Sequence, residues 1–331
     1  MRPRSLPRGQ RGVALIIALV LVALATILAW KISFEGYLER RRSFGMLAAE
    51  QAMQFSLGAE ALAADVLAQQ AQKGSQQYTL ADAWAQPTQP LPITSPNDPE
   101  GPPIGTLQGS LEDLQGRFNL NNLKRSTADG KPDPQPLKLF QRLLVSVGLE
   151  PKWAQVARDW IDADNEALAE GAEDSVYTAQ TPPYLTGNWP MTSTSELLAL
   201  PGFGLDRFRK LEPYVTALPI MDAKVNLCTA SAYVIESLAD GLNGEYSSNK
   251  DALILGRKTG CFPDKNTFMN LLGGAGSARN KLIDGTYADT TAYFLLTTHV
   301  TLGTTEFTLY SLLMRNPGGK LTPLLRTFGT Q

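Results

Sequence analysis

The stretch "RGVALIIALVLVALATILAWK" (residues 11–31) decides how the rest of the chain is organised. Four of the first eleven residues are arginine, and no charged residue occurs from Val13 to Trp30. An apolar run of this length comes close to the roughly 20 residues that a helix needs to span hydrocarbon. The positive charge before the run predicts that this end stays in the cytoplasm and that the body of the chain lies outside it.

Three fates of this segment are open from the residues alone. The triplet Ala23-Leu24-Ala25 has the small-x-small pattern of a secretory cleavage site, but it lies inside the apolar run, where it makes a poor substrate. A permanent span keeps the whole segment. In the third case, cleavage after Gly12 removes only the basic leader and leaves Val13 as the new N-terminus of an intact apolar helix.

The chain beyond the apolar run continues a helical pattern. Proline is absent from Lys31 to Gln86. Apolar residues recur mostly at steps of three and four, at Phe34, Leu38, Phe44, Ala48, Ala52, Phe55, Ala59, Leu62 and Val66. We therefore predict one helix over residues 13–72, about 90 Å long, with a transmembrane half over 13–31 and an amphipathic half over 32–72. Such a helix is both membrane anchor and domain spine.

Composition limits the function of the body. The 331 residues carry 30 basic and 32 acidic side chains, with the basic ones concentrated at the start, so the remainder is mildly acidic and unsuited to nucleic acid. Cys228, Cys261 and the single His299 are too few for a zinc site. Outside the cytoplasm the two cysteines would form one disulfide; two buried free thiols are the alternative. Because the sequence holds no nucleophile elbow, Walker motif or dinucleotide-binding motif, we predict that the protein is not an enzyme.

The remaining pattern predicts an α+β fold. Residues 293–301, 305–315 and 321–328 alternate as strands, 104–123 suggest a hairpin, and 73–103 look like a surface connection. Helical spacing is found over 137–148, 151–161, 193–200, 205–217, 229–241 and 264–272. Strands on both sides of a helical block predict a small antiparallel sheet, packed on the N-terminal helix and interrupted by a large inserted all-α domain.

An acidic loop over residues 159–174 is the strongest candidate for ion binding. The sequence "DWIDADNEALAEGAED" holds no lysine or arginine. Carboxylate and amide oxygens on an irregular loop suit Ca²⁺, which accepts six to eight oxygen ligands in flexible geometry. The spacing is not that of an EF-hand. A solvated acidic loop without an ion is the alternative.

The segment "LPGFG" (residues 200–204) suggests an alternative function. Between two helical segments it resembles the hairpin of a helix-hairpin-helix motif, which can hold a DNA phosphate. Three basic residues, Arg207, Arg209 and Lys210, follow it. The alternative is therefore a membrane-anchored periplasmic DNA-binding or DNA-uptake protein. The acidic loop upstream and the acidic residues among the basic ones favour a structural hairpin instead.

Residues 11–17, Arg-Gly-Val-Ala-Leu-Ile-Ile, resemble a type IV prepilin or pseudopilin processing site. Further segments resemble the type II secretion minor pseudopilins called protein K, namely 113–123, the string from 159 to 197, 225–230 and the terminal 326–329. The resemblance implies that prepilin peptidase cuts between Gly12 and Val13 and that Val13 is then N-methylated. Pilin-like families usually carry glutamate at the fifth mature position. Ile17 replaces it here, as suits a subunit at the filament end.

The resemblance also implies domains and partners. It divides the chain into a leader (1–12), the helix, a pilin-like β domain (73–124 and 286–331) and a SAM-like α-domain (125–285) holding one or two calcium ions. The implied ligands are Asp162, Asp164, Glu166, Glu173, Asp174 and Asn188. The implied function is to cap the pseudopilus tip with minor pseudopilins I, J and H, starting or limiting filament growth while folded exoproteins are exported. Implied localisation is the inner membrane, single-pass, with the bulk in the periplasm.

Overall fold

The computed structural model describes residues 11–72, 77–242, 244–274, 276–316 and 318–329. Its α-helices are α1 (Arg11–Gln72), α2 (Pro134–Ser146), α3 (Trp153–Ile161), α4 (Asp174–Tyr177), α5 (Gly204–Leu211), α6 (Ala232–Ser237), α7 (Lys250–Gly256), α8 (Lys265–Leu271) and α9 (Ala278–Ile283). Helix α1 has 62 residues. Within the described ranges it is the helix that is long and apolar enough to cross a membrane.

One antiparallel sheet carries most of the strand structure. The strands are β1 (Leu91–Ile93), β2 (Gly105–Asp113), β3 (Phe118–Asn119), β4 (Val215–Thr216), β5 (Val225–Asn226), β6 (Tyr287–Ala288), β7 (Tyr293–Leu302), β8 (Thr305–Arg315) and β9 (Leu321–Phe328). Five of them form the sheet in the order β1-β2-β7-β8-β9, and β3-β4 and β5-β6 are short parallel pairs. The α+β class predicted from the sequence is confirmed.

The second half of α1 packs across this sheet in a fixed direction. Ala52 lies in a cluster with Val300 and Leu302, whereas Leu67, farther from the apolar half of the helix, lies in a cluster with Phe294. In the pairing of β2 with β7, Leu302 is opposite Gly105 and Phe294 is opposite Asp113. The end of the sheet at Asp113 and Phe294 is therefore the end farthest from the apolar segment.

The helical domain is inserted at that distal end. The chain leaves the sheet after Asp113 and returns to it at Tyr293, next to Phe294, so both connections lie side by side. The inserted part has its own core, in which Phe118 stacks on Phe140 with ring centroids 5.1 Å apart. Cys228 and Cys261 form a disulfide within this domain.

A buried carboxylate fastens the last strand to α1. Glu60 is 9% exposed and accepts hydrogen bonds from Arg326 Nε at 2.9 Å, from Arg326 Nη2 at 2.8 Å and from Ser311 Oγ at 2.9 Å. The bonds from Arg326 hold the pKa of Glu60 below its ordinary value against the opposing effect of burial. This contact joins α1, β8 and β9.

The predicted strands over 293–328 are confirmed almost to the residue. The hairpin over 104–123 is wrong, because β2 pairs with β1 and β7 and the chain then enters a 3₁₀ turn at Leu114–Gly116, capped by the Asp113 side chain. The surface connection over 73–103 is also wrong in part. Tyr78 and Trp84 are buried there against Phe294, with ring centroids 5.4 and 5.5 Å from that ring.

Most predicted helices are present, but with different bounds. Segments 137–148, 151–161 and 264–272 correspond to α2, α3 and α8, and 193–200 forms a 3₁₀ helix at Thr194–Ala199. Segment 205–217 is α-helical only to Leu211, because Pro213 cannot donate a backbone hydrogen bond, and it continues as a 3₁₀ helix at Glu212–Tyr214. Segment 229–241 is reduced to α6. Helices α4, α7 and α9 were not predicted.

Candidate metal centre

Three acidic side chains meet at the junction of α3 and α4. One carboxylate oxygen from each of Asp162, Asp164 and Glu173 lies within 4.8 Å of the others. Asp162 is the residue that ends α3, and Glu173 is the residue that precedes α4. The two helix ends thus bring together residues that are separated by an irregular loop.

The oxygens around this cluster lack donors. The buried side-chain oxygens without a hydrogen-bond partner in the described structure include Asp159 Oδ1, Asp162 Oδ1, both carboxylate oxygens of Glu173, and Asn188 Oδ1. Buried polar atoms are normally paired, and an unpaired one costs about 1–3 kcal/mol. A group of acceptors without donors is what a bound hard cation satisfies. The residues present therefore fit Ca²⁺.

The carboxylates of the cluster repel one another. Burial and, after it, the neighbouring charges of Asp159 and Asp162 together raise the pKa of Glu173 to about 7. Burial, together with the charges of Asp164 and Asp159, raises the pKa of Asp162 to about 6. Burial likewise raises the pKa of Asp159 to about 6. A cation would reverse these shifts by favouring the ionised carboxylates.

Asp159 anchors the loop that carries the cluster. It is fully buried on α3, and its Oδ2 accepts a hydrogen bond from the Leu168 backbone N–H at 3.0 Å. Gly171 passes so close that a Cβ atom there would lie 1.8 Å from the same oxygen. A glycine at 171 is therefore required for the loop to close over Asp159.

Asn188 is held near the end of α3 by its backbone. Its N–H donates to Trp160 O at 2.9 Å, and its φ of 48° lies in the left-handed region, which asparagine tolerates better than most residues. Trp160 is two residues before Asp162. The Asn188 side-chain oxygen, which has no hydrogen-bond partner in the described structure, therefore belongs to a residue whose backbone is bound to the end of α3.

The other two candidate ligands have different surroundings. Asp174 Oδ1 accepts hydrogen bonds from Thr186 Oγ1 at 2.7 Å and from Thr186 N at 3.0 Å, and these bonds lower the pKa of Asp174. Glu166 is exposed, and its backbone N–H donates to Asp164 Oδ1 at 3.0 Å. Neither carboxylate belongs to the group of three oxygens within 4.8 Å. Their assignment as ligands stays a prediction.

The structure adds Asp159 to the candidate residues. The sequence places it on a helix, three positions before Asp162, where an aspartate usually faces solvent. A signal was present, because Val156 and Trp160, three positions before and one position after Asp159, are apolar. All three are buried, and the other buried residues of α3 are apolar. A carboxylate on the buried side of a helix needs a hydrogen-bond donor, and here the donor is the Leu168 backbone N–H of the acidic loop.

The predicted processing site lies at the start of α1. Gly12 and Val13 belong to the first turns of the helix, and residues 1–10 of the leader lie outside the described residues. Val13 and Ile17 are 58% and 54% exposed on the apolar half of the helix. Cleavage after Gly12 and methylation of Val13 stay predictions.

The hairpin at 200–204 is largely engaged within the domain. Phe203 is fully buried and packs edge-to-face on Trp153 at 5.2 Å. Arg207 donates to Glu150 Oε2 at 3.3 Å, and its guanidinium lies 5.4 Å from the Trp153 ring centroid. These contacts use the hairpin and one of its three basic residues for packing.

A long N-terminal helix, apolar in its first half and packed on an antiparallel sheet in its second, defines a pilin-like protein, here with a helical domain inserted into the sheet. The sequence model of "Type II secretion system (T2SS), protein K" matches residues 116–220. The type II secretion system protein K of Pseudomonas aeruginosa is 35% identical over 97% of this chain and 94% of its own. The corresponding protein of Klebsiella pneumoniae is 37% identical over 66% of each chain.

A solved structure gives the same result. A chain in the crystal structure of the GspK-GspI-GspJ complex from the enterotoxigenic Escherichia coli type 2 secretion system matches with a TM-score of 0.73 and 25% identity, over 88% of this chain and 100% of that one. The chain belongs to the type II secretion system protein K family and is a minor pseudopilin of type II secretion. The resemblance predicted from the sequence is confirmed, and these relatives give no support to the DNA-uptake alternative.

Proposed function

We propose that this minor pseudopilin caps the tip of the type II secretion pseudopilus, assembling with minor pseudopilins I, J and H to start or limit filament growth while folded exoproteins are exported. One observation carries the proposal. The inserted domain leaves the sheet at Asp113 and Tyr293, at the end farthest from the apolar half of α1. In a filament of parallel helices, this domain lies where the next subunit would have to pack.

The apolar half of α1 supports the same position. Glutamate at the fifth mature position of other pilin-like subunits is thought to pair with the N-terminal amine of a neighbour, and here that position is Ile17. An unpaired carboxylate in hydrocarbon is costly, so a subunit with no neighbour ahead of it is better served by an apolar residue. The proposal includes cleavage by prepilin peptidase between Gly12 and Val13, N-methylation of Val13, and a single-pass anchor in the inner membrane with the bulk in the periplasm.

The proposed mechanism is assembly without catalysis. The partners I and J follow from the complex in which the solved relative was crystallised, and H follows from the family resemblance. The test varies the amount of this chain in cells that assemble pseudopili. Filaments should become shorter as the chain increases, and an epitope on the inserted domain should be labelled at filament ends. Labelling along the filament shaft would refute the cap.

We further propose that the centre at Asp162, Asp164 and Glu173 binds one or two calcium ions, with Asn188 and Asp159 completing its surroundings. The orphaned buried oxygens support this assignment. A ligand at 100 times its Kd stabilises a protein by about 2.7 kcal/mol, which corresponds to a rise in Tm of roughly 5–10 °C. When bound, the ion supplies charge neutralisation that holds the loop to the ends of α3 and α4.

The calcium proposal is tested by the Tm of the full chain with Ca²⁺ and with EGTA. We expect calcium to raise the Tm of the wild type, and Asp162→Asn or Glu173→Gln to abolish that rise. Asp206→Asn, which changes an exposed carboxylate of the same domain, is the matched control and should respond like the wild type. Equal Tm values for the wild type in Ca²⁺ and in EGTA would refute the proposed calcium site.

A further inference from the structure

Arg257, directly after α7, carries a buried charge without an acidic partner. The residue is 8% exposed, and no carboxylate of the described chain forms an ion pair with it. Burial lowers its pKa to about 10, so the guanidinium remains charged at neutral pH. A charge in this position is costly unless its donors are used. The hydrogen bonds of Arg257 therefore offset the cost of burying its charge.

The two acceptors of Arg257 flank the two cysteines. Its Nε donates to Phe262 O at 2.8 Å, and its Nη2 donates to Leu227 O at 2.5 Å. Leu227 immediately precedes Cys228, and Phe262 immediately follows Cys261. A single guanidinium thus holds both backbone segments that the disulfide joins. Because its donors are fixed in one plane, it also fixes the distance between those segments.

The segment at Cys228 is rigid for reasons independent of the disulfide. The Leu227 N–H donates to Ala288 O at 2.8 Å, which extends the β5-β6 pair. The Cys228 N–H donates to Asn226 Oδ1 at 3.1 Å. Cys228 itself is fully buried. The segment at Leu227 and Cys228 is therefore held in place independently, and Arg257 at the end of α7 binds to it.

The segment at Cys261 is held against the end of α7. Phe262 lies so close to Gly256 that a Cβ atom at 256 would be 2.7 Å from its side chain. Gly256 and Arg257 are consecutive, so one contacts the Phe262 side chain while the other binds its carbonyl oxygen. The end of α7 is thus built to hold both residue 262 and residue 227.

We propose that Arg257 is a positioning residue for the Cys228–Cys261 pair, which holds the two thiols together in the reduced, folded chain. In the oxidation step each thiol loses a proton and the two sulfurs join. The two electrons pass to an external disulfide oxidant, such as oxidised glutathione, whose S–S bond breaks to give two thiols. Arg257 exchanges neither proton nor electron. The disulfide then closes a contact that the fold has already made.

Arg142 provides a matched control in the same domain. It is a partly buried arginine that donates from Nε to Ser237 O at 2.7 Å and from Nη2 to Leu238 O at 3.2 Å. It therefore also joins a helix to backbone carbonyls of another segment. Its Nη1 also donates to Asp240 Oδ1 at 3.0 Å, and none of the three acceptors is next to a cysteine. Substitution of Arg142 reports the general cost of losing such a side chain, without the effect on the thiols.

The experiment measures the effective concentration of the two thiols in the full detergent-solubilised chain, from the oxidised fraction in buffers of reduced and oxidised glutathione. We expect Arg257→Met to lower it by at least about tenfold, equivalent to about 30 mV. We expect Arg257→Lys, which keeps the charge but not the planar pair of donors, to lower it by about three- to tenfold. Arg142→Met and Arg142→Lys should stay within about threefold of the wild type.

Near-UV circular dichroism of each oxidised variant checks that the fold is retained. If Arg257→Met loses the wild-type spectrum, the comparison of Arg257→Lys with Arg142→Lys decides the matter. The proposal is overturned if the deciding Arg257 variant stays within about threefold of the wild type, or if the matching Arg142 variant falls as far. In the first case the fold brings the thiols together without Arg257. In the second case the loss is general to the domain.

Discussion

Glu60 shows how one buried carboxylate can hold a terminal strand in place. It receives two hydrogen bonds from Arg326 and one from Ser311, and its exposure is only 9%. These bonds tie the C-terminal strand β9 to α1, in addition to its pairing with β8 at the edge of the sheet. The contact therefore stabilises the pilin-like body, formed by α1 and the sheet, and not the inserted domain.

The substitution Glu60→Gln should destabilise the protein by about 1–3 kcal/mol at pH 6, because hydrogen bonds to a charged group are lost. The pKa of Glu60 in the folded protein is below its ordinary value of 4.5. Its contribution is thus present above about pH 4.5 and is lost as the pH falls through the lowered pKa. Urea denaturation at pH 6 and at pH 3 should show the difference between wild type and variant shrinking at pH 3.

Glu50→Gln is the control for this measurement, since Glu50 lies exposed on the same helix. It should change stability by less than about 0.5 kcal/mol at either pH. A difference between wild type and Glu60→Gln that is equally large at pH 6 and at pH 3 would contradict the role given to the ionised carboxylate.

The sequence allowed part of the candidate metal centre to be predicted at this scale. Asp162, Asp164 and Glu173 could be grouped because they share a loop without basic residues. The apolar neighbours of Asp159 indicated its burial, but its contact with the acidic loop depends on how α3 packs in the domain. The roles of Glu60 and Arg257 depend on partners that only the tertiary fold brings near, such as Arg326 and Leu227.

The packing face of α1 is the feature that joins helix and sheet. Small residues such as Ala52, Ala59 and Ala63 are buried there and let the helix approach the strands closely, and Leu67 fills the distal end of the contact. The exposed flank of the same helix carries Leu62, which is 57% exposed. Two leucines on one helix thus have opposite environments.

Leu67→Ala should cost about 2–5 kcal/mol of unfolding free energy, because it leaves a cavity in the cluster with Phe294 and Tyr78. Leu62→Ala should change it by less than about 0.5 kcal/mol. Chemical denaturation in detergent, followed by tryptophan fluorescence, measures both. Equal losses from the two substitutions would show that the sheet does not select one face of α1.

Elements with a strong repeat were predictable and elements fixed by distant partners were not. Strands β7 and β8 alternate over much of their length, and α1 keeps a helical spacing beyond its apolar run. The short β3 pairs with β4 almost a hundred residues later, and no local pattern reports such a pairing. The false hairpin over 104–123 arose because β2 alternates well but finds its partner in β7.

Asp113 forms hydrogen bonds across the junction between the sheet and the inserted domain. This residue is 5% exposed and accepts hydrogen bonds from Thr229 Oγ1 at 2.6 Å, Thr291 Oγ1 at 2.6 Å, Asn226 Nδ2 at 2.7 Å and the Gln115 N–H at 2.8 Å. Its donors come from within the insertion and from both of its ends, with Gln115 just after Asp113 and Thr291 two residues before β7. One carboxylate therefore connects the sheet to both ends of the insertion.

We expect Asp113→Ala to cost at least about 3 kcal/mol, since it leaves several buried donors unpaired. The loss should also weaken the coupling of the two domains, so that calorimetry resolves two thermal transitions where the wild type shows fewer. Glu112→Ala is the control, because Glu112 is a neighbouring carboxylate that is exposed and pairs with the partly buried Arg117. Two transitions in the control as well would contradict the role of Asp113.

The side-by-side entry and exit of the helical domain, at Asp113 and Tyr293, has an evolutionary consequence. An inserted domain that begins and ends on neighbouring strands can lengthen, shorten or be replaced while the sheet that carries it keeps the same backbone. Insertions and deletions within the helical domain should therefore leave the backbone of the rod and the sheet unchanged.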